Sequence, residues 1–269
     1  MNQDWYVAEA GQGFPLVLLH GLGASSFSWR ENLGPLSRRY RVLAPDLPGH
    51  GRTSAAAVPD FRLETLSVEI VRLLNRRGVD RAALAGNSLG GGLALLLARH
   101  QPERFPALVL LAPAVCLRRP PTLFYPLRLP LLGLLAAALL GPWIVPLALR
   151  QAYHRSELIT PEVVAGYALT FRSLANRLAI RRLVGQIEAW PPARVENLVR
   201  QITQPLCLIW GKEDRILPLD QAEWLRKRLP QAEVHLLPEV GHAPQEEDPA
   251  LVNEIAVAFL EKTLRNQLP

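Results

Sequence analysis

A serine between two glycines marks the stretch of this chain best suited to chemistry. Residues 86–90 read Gly86-Asn87-Ser88-Leu89-Gly90, a Gly-x-Ser-x-Gly pattern between a strand-like apolar run and a helix-like one. A serine held in a sharp strand-to-helix turn exposes its hydroxyl, and the free N–H groups of the helix N-terminus favour developing negative charge. Both glycines are expected because strand and helix backbones approach closely there. The pattern predicts that Ser88 is a nucleophile.

A serine nucleophile needs a base, and His242 is the best placed of the six histidines. It follows a predicted strand at residues 233–237, in the loop Pro238-Glu239-Val240-Gly241-His242. Three others fit less well, because His100 ends the helix that starts at Ser88, His154 lies in a helical insertion and His235 lies inside a strand. No histidine has the spacing of a metal site, so we expect no metal and no cofactor.

The base must in turn be oriented by a carboxylate, for which Asp214 is the candidate. It follows a predicted strand at residues 206–210, and the neighbouring Glu213 is the alternative. The end of the strand before that one, Ala112-Pro113-Ala114, carries no carboxylate.

Two backbone N–H groups are needed to bind the oxyanion that forms when a carbonyl is attacked. Leu89 supplies one directly after the serine, and Leu22, in the loop His20-Gly21-Leu22-Gly23, is the predicted second. A dinucleotide-binding turn would need a third glycine at position 26, where Ser26 stands.

The elements that position these residues alternate between short apolar runs and helix-length segments. Strands are expected at residues 16–20, 41–44, 82–85, 107–112, 206–210 and 233–237, with an antiparallel edge strand at residues 5–10. Helices are expected at residues 27–37, 63–77, 88–99, 220–228 and 249–264. Such alternation predicts an α/β fold with a mostly parallel sheet covered by helices.

The alternation stops after residue 112 and resumes near residue 205, which predicts a helical insertion. We therefore expect an α/β core made of residues 1–113 and 201–269, and a cap made of residues 114–200 that roofs the carboxyl ends of the strands. The cap contains no charged residue from 129 to 149. Prolines and glycines interrupt this stretch and make a transmembrane helix a poor interpretation. It could line a tunnel for an apolar substrate, rest on a membrane surface, or simply pack.

Composition narrows the class of protein further. Hydrophobic residues make up 49% of the 269 positions, enough for a large core. The net charge is +6, but no basic run interleaves with aromatic residues, so we expect no nucleic-acid partner. Cys116 and Cys207 are interpreted as reduced packing residues, and the N-terminus lacks the pattern of a secretory signal, which favours the cytoplasm.

The order Ser88, Asp214, His242 with an early His-Gly-x-Gly loop resembles the α/β-hydrolase fold family. The resemblance covers residues 5–113 and 200–265, and it implies a sheet of the eight-stranded type under a helical cap. The segment 46–54, Asp46-Leu47-Pro48-Gly49-His50-Gly51-Arg52-Thr53-Ser54, is similar to the family's loop after its fourth strand, and we interpret Asp46 and His50 as structural. Residues 241–249 are similar to its catalytic-histidine segment.

The resemblance implies that Ser88 attacks an acyl carbonyl, with an ester as the first substrate class. The alternative is a carbon–carbon bond hydrolase of ring meta-cleavage products, for which Arg172 or Arg177 could hold a substrate carboxylate. A thioesterase, a cofactor-free perhydrolase and a non-catalytic binding protein on the same fold remain open, whereas dehalogenases and epoxide hydrolases resemble an Asp-nucleophile pattern. The expected partner is a small apolar ester, with membrane-surface contact through the cap as an additional possibility. The substrate-binding residues and the oligomeric state are not predicted.

Overall fold

The computed structural model describes residues 5–115, 125–187 and 191–265. Their strands form one sheet in the order β1-β3-β2-β4-β5-β6-β7, parallel throughout except that β1 runs antiparallel to β3. The strands are β1 Val7–Ala10, β2 Pro15–Leu19, β3 Arg41–Pro45, β4 Ala83–Asn87, β5 Leu108–Leu111, β6 Leu206–Gly211 and β7 Glu233–Leu237. Each lies within two residues of its predicted limits.

The sheet has seven strands among the described residues, where the resemblance implies a sheet of the eight-stranded type. Among the described residues, which begin at Trp5, a single strand precedes β2. This strand is β1, and it begins two residues after Trp5. The antiparallel edge predicted near the N-terminus is therefore present as one strand.

The helices fall into core helices and a group between β5 and β6. The core helices are α1 Arg30–Ser37, α2 Leu63–Arg76 and α3 Leu89–His100 before the insertion, and α10 Leu219–Arg226, α11 Pro244–Glu247 and α12 Pro249–Leu264 after it. The insertion contains α4 Tyr125–Arg128, α5 Pro130–Leu139, α6 Val145–Ala152, α7 Pro161–Arg172, α8 Leu174–Ile187 and α9 Pro192–Arg200.

The central strands are apolar on both faces because helices cover the sheet on both sides. Alternate residues of β2 point to opposite faces. Val17 and Leu19 join the cluster packed under α2, α3, α9 and α10, whereas Leu16 and Leu18 join the cluster under α1 and α12. Cys207 is fully buried in β6, in the packing role predicted for it, and Cys116 lies outside the described residues.

The helices between β5 and β6 form two small apolar clusters of their own. One is centred on Ile144, Val145 and Leu149, and the other on Leu127 and Ala137. Within the described residues no single helix has the length and hydropathy of a membrane span. The helical segments Pro130–Leu139 and Pro142–Ala152 have that length and hydropathy only when taken together, and the chain bends by 90° between them.

Candidate active site

Ser88 stands in the turn between β4 and α3, in a backbone conformation that few residues other than glycine adopt. Its φ is 52° and its ψ is −116°. A Cβ on Gly86 would lie 2.4 Å from the carbonyl oxygen of Gly90, and one on Gly90 would lie 2.0 Å from that of Leu19. Any side chain at either position would force the turn open, so the two glycines allow the strained serine.

The structure brings Asp214 and His242 together although 28 positions separate them. The Nδ1 atom of His242 donates to Oδ2 of Asp214 over 2.7 Å, and both side chains are buried. Oδ1 of Asp214 accepts from the backbone N–H groups of Ile216 and Leu217, each at 2.8 Å. With Nδ1 protonated toward the carboxylate, a neutral imidazole keeps Nε2 free to accept a proton.

The loop after β2 lies directly against the serine. A Cβ on Gly21 would meet the Ser88 Cβ at 3.2 Å, so the glycine lets the loop approach. Leu22 in this loop and Leu89 at the first position of α3 both line the cavity that contains Ser88. The N–H of Leu89 has no partner inside its helix, as expected for a first-turn residue.

His20, the first residue of that loop, is fully buried in a structural position. Its Nε2 accepts from the N–H of Leu47 over 2.9 Å, so its Nδ1 carries the hydrogen that is donated to the carbonyl oxygen of Gly21 over 2.8 Å. Complete burial lowers its pKa to about 4, which keeps the ring neutral. His20 therefore ties the Gly21 loop to the segment 46–54.

Asp46 and His50 have the structural surroundings predicted for them. The carboxylate of Asp46 accepts from the backbone N–H groups of Ser26 at 2.6 Å and Arg52 at 2.8 Å. His50 is completely buried with its ring 5.2 Å from that of His20, and burial lowers its pKa to about 3.

Asn87 is a further residue of the candidate site, and no sequence pattern assigns it a role. Its Nδ2 donates to the carbonyl oxygen of Leu111 at the end of β5 over 3.1 Å, and to that of His242 over 3.0 Å. One amide therefore connects the residue before the serine with the histidine loop. The only signal in the sequence is its position inside the Gly-x-Ser-x-Gly pattern.

Glu247 also lies outside the predicted site, although it belongs to the segment 241–249. Its carboxylate accepts from the N–H groups of Gly241 at 2.8 Å, His154 at 2.7 Å and Arg155 at 3.0 Å. The N–H of His242 donates to the carbonyl oxygen of Ala152 over 2.7 Å. The histidine loop is thus bonded to the chain that follows α6 of the insertion.

The adjacent Glu246 forms the centre of a buried polar cluster. It is bonded to the guanidinium of Arg30 and to the hydroxyl of Tyr167. Burial raises the pKa of this carboxyl, although the positive charge of Arg30 opposes the shift. Tyr167 also lines the cavity, so this cluster lies behind one part of the cavity wall.

Ser88 and His242 both line a cavity of about 760 Å³ between the sheet and the helices that follow β5. Much of its wall comes from the insertion, from α4 to α8, and is aliphatic: Leu127, Leu140, Ile144, Val145, Leu149 and Ile180. Arg215 is the single arginine among the described lining residues. Arg172 and Arg177 do not line it, and Arg177 donates instead to the carbonyl oxygens of Ala138 and Leu140.

The remaining candidates lie elsewhere. His100 is exposed at the end of α3, and His235 pairs with Glu233 at 2.9 Å on β7. Oε2 of Glu213 accepts from the N–H of Val240 over 3.2 Å, which leaves Asp214 as the partner of His242. Within the described part of the chain no group of three potential metal ligands exists.

Comparison with known proteins identifies the fold family. The model of the α/β-hydrolase fold family matches residues 15–249. An uncharacterized hydrolase, YugF, of Bacillus subtilis is 30% identical over 91% of this chain and 89% of its own length. The 2-hydroxy-6-oxo-6-phenylhexa-2,4-dienoate hydrolase of Burkholderia cepacia is 29% identical, over 95% of this chain and 90% of its own. The structure of a putative lipase from Acinetobacter baumannii superposes with a TM-score of 0.84 at 28% identity, over 98% of this chain and 89% of that one. This chain belongs to the α/β-hydrolase fold family.

Proposed function

We propose that the protein is a serine hydrolase that cleaves carboxylic esters with an apolar acyl group through an acyl-enzyme. The single observation that carries this proposal is the largely aliphatic cavity that Ser88 and His242 share. A wall of this kind favours a hydrocarbon chain, since each buried CH₂ contributes about 0.8 kcal/mol.

In the proposed mechanism the Ser88 hydroxyl attacks the acyl carbonyl while Nε2 of His242 takes its proton. Asp214 holds the ring through Nδ1 and stabilises the imidazolium that forms. The N–H groups of Leu22 and Leu89 donate to the oxyanion. His242 returns the proton to the departing alcohol, and water, activated by the same histidine, then releases the acid from Ser88.

A second candidate is hydrolysis of a carbon–carbon bond in ring meta-cleavage products. It is favoured by the similarity to the hydrolase of Burkholderia cepacia and by Arg215, a cavity arginine suited to a substrate carboxylate. It ranks second because the arginines proposed from the sequence, Arg172 and Arg177, lie outside the cavity lining and the described wall is mostly apolar.

A series of p-nitrophenyl esters from acetate to palmitate tests the first candidate. We expect kcat/KM to rise from acetate to a medium or long chain, and we expect Ser88→Ala to abolish turnover while the variant keeps the thermal transition of the wild type. Turnover of a vinylogous diketone acid without hydrolysis of any ester would favour the second candidate. A preference for acetate would contradict the apolar acyl site.

A further inference from the structure

The large apolar side chains that are exposed on this protein are concentrated on one part of the insertion. Of the twelve such side chains among the described residues, eight fall between positions 129 and 147. The most exposed is Leu131 at 81%, followed by Trp143 at 65% and Leu139 at 64%. The others are Leu129, Leu132, Leu134, Leu135 and Leu147. These eight residues form the leucine surface.

On α5 the leucine surface is one continuous helix face. Leu131, Leu135 and Leu139 are exposed at four-residue spacing, while Gly133 and Ala137 face inward at the same spacing. Gly133 is required inside, because a Cβ there would lie 2.5 Å from the carbonyl oxygen of Leu127. The insertion therefore buries Gly133 and Ala137, whereas all the leucines of α5 are exposed. An exposed apolar patch of this kind marks an interaction site.

Arginines flank the leucine surface in the sequence and on α8. Residues 114–187 contain nine arginines and two glutamates, a net charge of +7, whereas the whole chain carries +6. All the excess positive charge of the protein is therefore in this segment, and the rest of the chain carries a net charge of −1. The exposed Arg128 and Arg150 stand just outside the two ends of the charge-free stretch 129–149. Arg181 and Arg177 of α8 donate to the carbonyl oxygens of Pro130 and Ala138, near the two ends of α5, over 2.9 Å and 2.8 Å.

We propose that the leucine surface docks on an anionic phospholipid bilayer, with the leucines and Trp143 in the interfacial layer and the arginines against the headgroups. Segments that lie in the membrane interface combine apolar side chains such as leucine and tryptophan with basic residues. Here α5 and Trp143 supply the apolar side chains, and neighbouring arginines supply the charge. Each basic residue near an anionic leaflet contributes about 1 kcal/mol. A second copy of the chain is the less favourable occupant, because two insertions of net charge +7 would face each other.

The cavity reaches the same surface. Leu147 is 46% exposed and also lines the cavity, and Leu140, half-buried at the end of α5, lines it as well. An acyl chain that leaves the bilayer at this rim would enter the cavity along apolar side chains. This supply of substrate rests on the proposed function, whereas the docking itself does not.

Vesicle flotation with the full chain tests the docking. The probes are vesicles of phosphatidylcholine alone and vesicles that also contain phosphatidylglycerol. We expect the wild type to float with the anionic vesicles and added NaCl to weaken that binding. The variant Leu131→Ser/Leu135→Ser should bind about tenfold or more weakly, because it removes two side chains that would enter the interface.

A matched control replaces two exposed leucines that lie outside the leucine surface. Leu236→Ser/Leu251→Ser changes side chains exposed to 38% and 36% on β7 and α12, and it should bind as the wild type does. Ser88→Ala should also float like the wild type, which separates docking from catalysis. Both double variants should hydrolyse a water-soluble short ester at the wild-type rate, since none of the four leucines lines the cavity.

Three results would overturn the proposal. In the first, the wild type does not float with anionic vesicles; in the second, both double variants bind these vesicles equally well. In the third, sedimentation shows a dimer that Leu131→Ser/Leu135→Ser disrupts, while no vesicle binds the protein. The last result would assign the leucine surface to a second copy of the chain. Flotation without ester hydrolysis would leave the docking supported and the proposed function wrong.

Discussion

The side-chain amide of Asn87 donates to the backbone carbonyl oxygen of His242 over 3.0 Å, across 155 positions of sequence. Asn87 directly precedes Ser88, so this bond fixes the distance between the loop of the proposed base and the turn of the proposed nucleophile. The second hydrogen of the amide goes to Leu111, which anchors both loops to the end of β5.

Replacing Asn87 with alanine should lower kcat on the best p-nitrophenyl ester and lower stability together. Two buried carbonyl oxygens would lose their donor, at a cost of about 1–3 kcal/mol in the free energy of unfolding. Asn253→Ala is the matched control, since Nδ2 of this buried asparagine donates to the carbonyl oxygen of Glu31, away from the cavity. We expect similar destabilisation in urea for both variants and a loss of kcat for Asn87→Ala alone. Equal kcat in the two variants would argue against a positioning role.

The pair Asp214–His242 gives a second prediction, in which the neighbouring carboxylate serves as the control. Asp214→Asn keeps the size of the side chain but removes the charge that stabilises an imidazolium, and it can hold the wrong tautomer of His242. We expect kcat to fall by about 10⁴-fold, as for the equivalent change in a serine protease triad. Glu213→Gln, which alters the bond to the N–H of Val240, should leave kcat close to the wild-type value. A loss of the same size in both variants would remove the distinction between the two carboxylates.

Ser88, Asp214 and His242 could be predicted from the sequence because each follows a strand of the same sheet, in which β4, β6 and β7 run parallel. Carboxyl ends of parallel strands meet at one edge, so three local patterns were enough to bring the three residues together. The loop of His20 and Leu22 follows the same logic. The limits of the strands could be predicted as well, since the buried strands are short, apolar and bounded by loops.

The contacts between the insertion and the core could not be predicted in this way. Glu247 binds the N–H groups of His154 and Arg155 across more than ninety positions, and no periodicity encodes such a pairing. The charge-free stretch 129–149 shows a related limit. Hydropathy alone suggests burial, whereas Leu131 and Trp143 are exposed, because the orientation of α5 depends on where Gly133 packs.

The close contact of Gly90 with β2 leads to a third prediction. Gly90→Ala would place a Cβ 2.0 Å from the carbonyl oxygen of Leu19, so the turn at Ser88 must shift, and both activity and thermal stability should fall sharply. Gly185→Ala is the matched control in another helix, α8, where nothing lies within 4 Å of the added atom. That change should stabilise the protein by about 0.5–1 kcal/mol, the helix preference of alanine over glycine, without altering kcat. If thermal unfolding showed equal destabilisation in the two variants, the contact with the carbonyl oxygen of Leu19 would not be the cause of the effect at Gly90.

The two neutral histidines behind the loop of Leu22 predict that the protein loses stability in acid. Burial lowers the pKa of His20 to about 4 and that of His50 to about 3, from the ordinary value of 6.5. Below pH 6.5 the unfolded chain therefore binds protons that the folded chain refuses, and the free energy of unfolding falls as the pH drops toward 4. For His20 alone the loss amounts to about 3 kcal/mol, at about 1.4 kcal/mol for each pH unit. His20→Gln, whose amide can still accept from Leu47 and donate to Gly21, should lose stability less steeply over this range in urea titrations, whereas His100→Gln at the exposed end of α3 should follow the wild type. If His20→Gln and the wild type lost stability in parallel between pH 6.5 and 4, protonation of His20 would not be a cause of the loss of stability in acid.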